Sequence, residues 1–181
     1  MTDIFGLCES TDKLSDVLEK AGHKVFLIDP YDGMRQSFNN ESEAYSGFIE
    51  YCDHQGYLHI TQQAVVQSKA HLIIGFSAGA NALWQLIAQD IVSDKQLMCF
   101  YPTRIDKFLT LEANALVDVI FPIREASFEV TDIARIIEQK ALTKSITTPF
   151  EHGFMNSRSL AFTREAEAFG VELIQNKLKT R

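Results

Sequence analysis

Ser77, Glu125 and His152 are the residues of this 181-residue chain whose types and order could carry nucleophilic chemistry. Ser77 lies in Gly75-Phe76-Ser77-Ala78-Gly79, after the apolar run Leu72-Ile73-Ile74 and before a stretch in which Ala80, Leu83, Trp84, Leu86 and Ile87 recur at helical spacing. That succession predicts a strand, a sharp turn and a helix, the setting of a nucleophile elbow, with the serine Oγ presented at the carboxyl end of the strand. Glycine is needed on either side because a Cβ there would collide with the adjoining strand and helix. The first turn of the helix favours negative charge on an incoming oxygen. The same pentapeptide also serves as a glycine-rich turn in doubly wound proteins without such chemistry, so its meaning rests on whether partners exist.

A serine hydroxyl is a poor nucleophile at neutral pH unless a base reaches its Oγ and a third group holds that base in the correct tautomer. Five histidines are available. His23 precedes a strand at the wrong end of a sheet, His54 and His59 fall in a polar segment, and His71 begins the elbow strand. His152 follows a late strand, which puts it on the same edge as Ser77, and it satisfies the order serine, acid, histidine. The acid then belongs between them, just past a strand end. Glu125 directly follows the apolar residues 116–123, whereas Asp118 lies inside that strand and Glu129 and Asp132 belong to the next helix. Glu125 is therefore the expected acid, with Glu129 or another acid as the alternative if the strand register differs by two residues.

The elements that must position these groups alternate along the chain. Ser10 or Thr11 is expected to cap a helix whose Leu14, Val17, Leu18 and Ala21 form one apolar face, ended by Gly22. Residues 24–28 read as a buried strand stopped by Asp29-Pro30. Within 34–70, Asn39-Asn40 marks a break and two helices are expected, near 41–52 and 58–68, with no separate lid domain. Strands are expected at 96–101 and 116–123, a helix at 128–140, a short strand at 146–150, and a closing helix with Phe162, Ala166, Phe169 and Leu173 on one face. Such alternation, with near-continuous apolar strands, implies a mostly parallel sheet with helices on both faces.

Composition narrows the classes. A chain of this length with 46% hydrophobic residues buries one substantial core, so one domain spanning 1–181 is expected. The net charge of −7, without a basic stripe, argues against nucleic-acid and anionic-membrane partners. No apolar run is long enough to span a bilayer. Three widely spaced cysteines, Cys8, Cys52 and Cys99, suggest neither a disulfide framework nor a zinc cluster and fit a reducing cytoplasm.

The series Asp3-Ile4-Phe5-Gly6, Asp29-Pro30-Tyr31, Gly75-Phe76-Ser77-Ala78-Gly79-Ala80, Phe100-Tyr101-Pro102 and His152-Gly153-Phe154 resembles the dienelactone hydrolase family of α/β-hydrolases. The resemblance implies a compact single-domain α/β-hydrolase without a lid domain, acting on a small-molecule ester, lactone or thioester, with no metal and no organic cofactor. It implies an oxyanion hole made by the backbone N–H groups of Ile4 and Ala78. Phe5, Phe76, Tyr101 and Arg158 join as candidate substrate contacts. Arg158, six residues past His152, could attract a substrate carboxylate, although a surface arginine at a helix start is the plainer role. The founding enzymes carry cysteine where this chain has Ser77, so the reaction class is implied and their cyclic lactone substrate is not. The competing class is a non-catalytic relative that keeps the fold as a binding or interaction module.

In that architecture the strand before the oxyanion loop lies inside the sheet, between residues 24–28 and the elbow strand. Only Met1 and Thr2 precede Asp3. A truncated N-terminal strand is therefore expected, with the further expectation that the natural chain begins upstream with an apolar strand.

Overall fold

Three near-continuous apolar runs and one more polar segment become strands: β1 (Leu72–Phe76), β2 (Gln96–Phe100), β3 (Leu116–Phe121) and β4 (Thr143–Thr147). In the computed structural model, which describes residues 1–179, these four form one parallel sheet in the order β1-β2-β3-β4. The register runs straight across it, Gly75 opposite Cys99 and Cys99 opposite Val119. Side chains alternate between two faces, as the strand period of two demands. Ile73, Leu97, Cys99, Val117, Val119 and Phe121 enter one core; Met98, Phe100 and Ile120 enter the other.

Helices cover both faces, as expected for parallel strands. On the first face, α3 (Asp53–Gln67), α4 (Ala78–Trp84) and α5 (Val130–Glu138) contribute Tyr57, Val65, Leu83, Trp84, Ile133 and Ile137, and α2 (Glu41–Tyr51) adds Phe48. On the second, α1 (Glu9–Lys20) and α6 (Arg164–Lys179) supply Leu18, Ala166 and Ile174. No helix among the described residues is long and apolar enough to cross a membrane.

Several boundaries differ from the sequence expectation for local reasons. Thr11 does not precede α1 but caps it from within: its Oγ1 accepts from Cys8 N at 2.9 Å and donates to Cys8 O at 2.7 Å, so the helix starts at Glu9. The helix expected at 58–68 begins at Asp53, whose carboxylate accepts from Gln55 N and Gly56 N and so starts the turn early. The expected strand at 146–150 lies three residues earlier; β4 is an edge strand, and the apolar pattern that marks a central strand is weak there.

Residues 24–28, expected as a buried strand, form no strand ladder, and Phe26 and Leu27 are exposed. The neighbour they need is supplied by two residues only. Met1 N donates to Ile74 O at 2.7 Å, Phe76 N donates to Met1 O at 3.2 Å, and Thr2 N donates to Ile28 O at 2.9 Å. Met1 and Thr2 thus form a short N-terminal bridge in strand register between Ile28 and β1. Below that bridge, residues 24–28 and the start of β1 separate around an open cavity of about 1080 Å³, with Phe26 and Leu27 on one wall and His71 and Leu72 on the other.

Candidate active site

The turn between β1 and α4 holds Ser77 at φ 51°, ψ −109°, a strained conformation for a residue with a Cβ. Two glycines make it possible. A Cβ on Gly75 would stand 2.7 Å from Ala80 Cα, and one on Gly79 would run into the Thr2 carbonyl and the Met1 side chain. The turn is pinned by Ser77 N donating to Phe100 O at the end of β2 (3.0 Å), and α4 starts with Asn81 N donating to Ser77 O (2.9 Å).

Two loops bring the remaining groups to this turn. The segment after β3 carries Glu125 and the segment after β4 carries His152. They are laced together by Thr148 N and Thr148 Oγ1, which donate to Phe121 O at 2.9 and 3.0 Å, and by Ile123 N, which donates to Phe150 O at 2.7 Å. Ser77 Oγ lies 2.9 Å from His152 Nε2, and His152 Nδ1 lies 2.5 Å from Glu125 Oε1. A carboxylate accepts only, so it selects the Nδ1–H tautomer and leaves Nε2 as the acceptor facing the serine hydroxyl. The Tyr101 ring, 5.0 Å from the imidazole between centroids, packs against His152. Glu125 is the more enclosed partner, its side chain 10% exposed against 32% for His152.

A third loop completes the site. Buried Asp3 accepts from Phe5 N at 2.9 Å and from Asn156 Nδ2 at 2.7 Å, while Tyr31 Oη donates to Ile4 O at 2.6 Å. Burial pushes the Asp3 carboxyl above its ordinary pKa, and these two donors oppose the shift. The backbone N–H groups of Ile4 and Ala78 have no protein acceptor among the described residues. Ile4, Ala78, Ser77 and His152 line one cavity of about 280 Å³.

No family model matches the chain. It is 26% identical to the uncharacterized Bacillus subtilis protein YczH over 184 residues, covering 99% of this chain and 90% of that protein. Among solved structures, a Klebsiella pneumoniae protein provisionally assigned as a dienelactone hydrolase superposes with a TM-score of 0.68 at 18% identity, covering 99% of this chain and 85% of that one. A Xanthomonas campestris pv. campestris protein provisionally assigned to the α/β hydrolase superfamily gives a TM-score of 0.58 at 17% identity, covering 97% and 95% of the two chains. The fold is an α/β-hydrolase fold.

Within this α/β-hydrolase fold, the groups expected from the sequence are distributed unevenly. Ser77, His152 and Glu125 are brought together; Glu129 is not, its carbonyl instead accepting from Asp132 N and Ile133 N at the start of α5. Phe5 lines the cavity. Phe76 turns the other way, its ring 5.1 Å from Phe100 and 6.2 Å from Tyr101, while Tyr101 packs against His152 without lining the cavity; both bound a separate 30 Å³ void. Arg158 is likewise not brought to the cavity. Its guanidinium donates to the carbonyls of Gln36 and Phe38 and lies 5.7 Å over the Phe5 ring, strapping that segment to the loop that carries Ile4 and Phe5.

Other lining residues carry no sequence signal. Glu41, Tyr45 and His54 come from α2 and α3, the polar region least legible in the sequence, and Thr103 and Arg104 follow β2. Asn156 is also absent from the sequence reading, although a polar amide just beyond the histidine loop is the type of residue that ties loops together.

Proposed function

We propose that this protein is a serine hydrolase that cleaves a small ester, lactone or thioester, and that it is a serine-nucleophile relative of the dienelactone hydrolases working in a reducing cytoplasm as one domain over residues 1–181. The observation that carries the reading is the continuous path Ser77 Oγ to His152 Nε2 to Glu125 Oε1, at 2.9 and 2.5 Å, ending in a cavity of substrate size.

The chemistry follows from those contacts. His152 takes the Oγ proton as Ser77 attacks the carbonyl carbon, and Glu125 holds the imidazole in place and stabilises its charged form. Oxygen gains negative charge in the tetrahedral intermediate, where the unpartnered N–H groups of Ile4 and Ala78 receive it; a donor of this kind contributes about 3–4 kcal/mol. His152 then gives its proton to the leaving alcohol or thiol. Water repeats the sequence on the acyl-serine and releases the acid.

A fluorophosphonate probe tests the reading directly, since only an activated serine reacts at a useful rate. Labelling of the parent at Ser77, absent in Ser77→Ala, together with turnover of short-chain p-nitrophenyl esters or thioesters, is expected. Failure to label combined with no turnover across such a panel would leave a non-catalytic module.

A further inference from the structure

Arg104 is the one permanent cation lining the 280 Å³ cavity among the described residues, and it has no partner there. The acids around the site are already engaged. Asp3 accepts from Phe5 N and Asn156, Glu41 accepts from Ser159 Oγ at 2.8 Å, and Glu125 holds His152. Arg104 differs from Arg35, Arg124 and Arg135, which pair with Asp12, Glu151 and Asp132. Its Nε is buried without any hydrogen-bond partner. A buried guanidinium N–H left unpaired is costly and calls for a reason.

The backbone points the same way. Arg104 sits at φ 57°, in the left-handed region that an arginine adopts only under constraint, and the fully buried Ile105 anchors the chain immediately after it. The loop leaves the carboxyl end of β2, beside the turn that presents Ser77, which is the edge where parallel sheets bind ligands. His54 does not compete with it for an anion. Burial first, and the Arg104 charge second, push its pKa down to about 4, so at neutral pH Arg104 is left as the fixed positive charge of the cavity.

We propose that Arg104 binds a carboxylate at the far end of the acyl group, so that the preferred substrates are half-esters or half-thioesters of short dicarboxylic acids. The inference rests on the hydrolase reading for the reaction, and on the cavity alone for the anion. A guanidinium offers two parallel N–H donors to a carboxylate, and Nε–H is one of the pairable set. The acyl side is assigned because His152, which protonates the leaving group, has a side chain 32% exposed, which gives the departing alcohol a route to solvent. With a water occupying about 30 Å³, a cavity of this volume holds on the order of ten non-hydrogen atoms, the size of a succinyl or glutaryl group. A carboxylate fits better than a phosphate because Asp3 and Glu41 line the cavity, with Glu125 beside His152, and oppose a dianion more than a monoanion.

The test compares kcat/KM for the p-nitrophenyl half-ester of glutaric acid with that for p-nitrophenyl pentanoate, its neutral counterpart. The parent is expected to prefer the half-ester by about 10- to 100-fold, the range of a charge-assisted hydrogen-bonded pair. Arg104→Gln is expected to bring the ratio to one or below, and Arg104→Lys to keep part of it. Calorimetric binding of glutarate to Ser77→Ala, and its loss when Arg104→Gln is added, reads the same contact without hydrolysis. Hydrolysis of both esters with a parent ratio near one, or a ratio unchanged in Arg104→Gln, overturns the inference and leaves the hydrolase reading standing. An unchanged ratio with a lowered melting temperature overturns it also, and assigns Arg104 to neutralising Asp106, whose buried Oδ1 is unpaired too. Arg104-dependent glutarate binding with no hydrolysis supports the anion site and removes the hydrolase reading instead.

Discussion

The amino group of Met1 offers a quantitative test of the short N-terminal bridge. It is buried beside β1 and donates to Ile74 O at 2.7 Å, a position that a peptide N–H would fill equally well. Burial lowers its pKa from 8.0 to about 5, with Asp29 and Asp3 opposing the change. The folded form therefore resists a proton that the unfolded chain accepts. The resulting cost is absent above pH 8, grows as the pH falls, and is complete below pH 5, where lowering the pKa from 8.0 to about 5 amounts to a destabilisation of about 4 kcal/mol. At pH 7 it is roughly 1–2 kcal/mol by the same linkage. Two extended forms separate the contributions: five Gly and Ser residues ahead of Met1, which move the charged amine into solvent, and five Val and Ile residues, which can also enter the cavity beside Phe26 and Leu27. Both are expected to flatten the dependence of melting temperature on pH between 5 and 8 and to raise it by roughly 3–5 °C at pH 7, given about 2–4 °C per kcal/mol for a chain of this size. The apolar extension gains burial but orders five residues at about 1–2 kcal/mol each, so its advantage over the Gly and Ser form is expected to be small and positive. Melting by calorimetry across that range, with intact mass checking that Met1 is retained, is the assay. Parallel pH slopes for parent and Gly and Ser form would refute the buried-amine argument; a deficit for the apolar form would refute the cavity as a place for a strand.

Ser77→Ala and His152→Ala are each expected to lower kcat/KM by about 10⁴-fold or more against a p-nitrophenyl ester, whereas Glu125→Gln keeps a measurable residue of activity, because the acid orients the base rather than reacting. Glu129→Gln is expected to match the parent, and parental activity in Glu125→Gln with loss in Glu129→Gln would show the acid loop in another register. Gly75→Ala is expected to destabilise by about 3 kcal/mol or more, since its Cβ would meet backbone atoms of α4 that cannot swing aside; denaturant melts at constant m-value measure it. Asn156→Ala leaves one Asp3 oxygen without its donor and frees the oxyanion loop, so a kcat lowered about tenfold with a smaller change in KM is expected from steady-state kinetics.

What can be read in the sequence follows the range over which each constraint acts. The elbow is local: strand, two glycines and helix lie within a dozen residues, and Gly75 and Gly79 are required by atoms of that unit and of Met1 and Thr2. β2 and β3 are legible because central parallel strands are largely buried on both faces and so are mostly apolar, whereas β4 has one neighbour and mixed composition and lies three residues from its expected place. Glu125 and His152 are reached through chain order and strand ends. The cavity walls are not, because α2 and α3 carry weakly amphipathic sequences, and the inward placement of Tyr45 and His54 is set by tertiary packing around Phe48 and Tyr57. Arg158 takes the plainer of its two expected roles, away from the cavity. Its spacing from His152 suggests the site, but the nearer carbonyls of Gln36 and Phe38 capture its donors.

The architecture divides the site into a robust part and an exposed part. Ser77, Glu125 and His152 stand on the ends of β1, β3 and β4, which are joined through β2 by a continuous parallel ladder, and Thr148 and Ile123 cross-link the two loops that carry the acid and the base. Ile4 has no comparable support. Its loop hangs from Met1, tied to β1 by two hydrogen bonds, and Thr2, tied to Ile28 by one backbone hydrogen bond, and is otherwise held by side chains: Asp3 to Asn156, Tyr31 to the Ile4 carbonyl, Tyr57 to the Thr2 carbonyl at 2.9 Å. Gly79 packs against that same Thr2 carbonyl, so the elbow helix and the oxyanion loop share one contact. In the proposed mechanism, disturbance of Met1 and Thr2 therefore reaches the Ile4 N–H before it reaches the nucleophile or its base. Side-chain hydrogen bonds from Tyr31, Tyr57 and Asn156, together with the backbone bonds of Met1 and Thr2, set how firmly the proposed oxyanion donor is held.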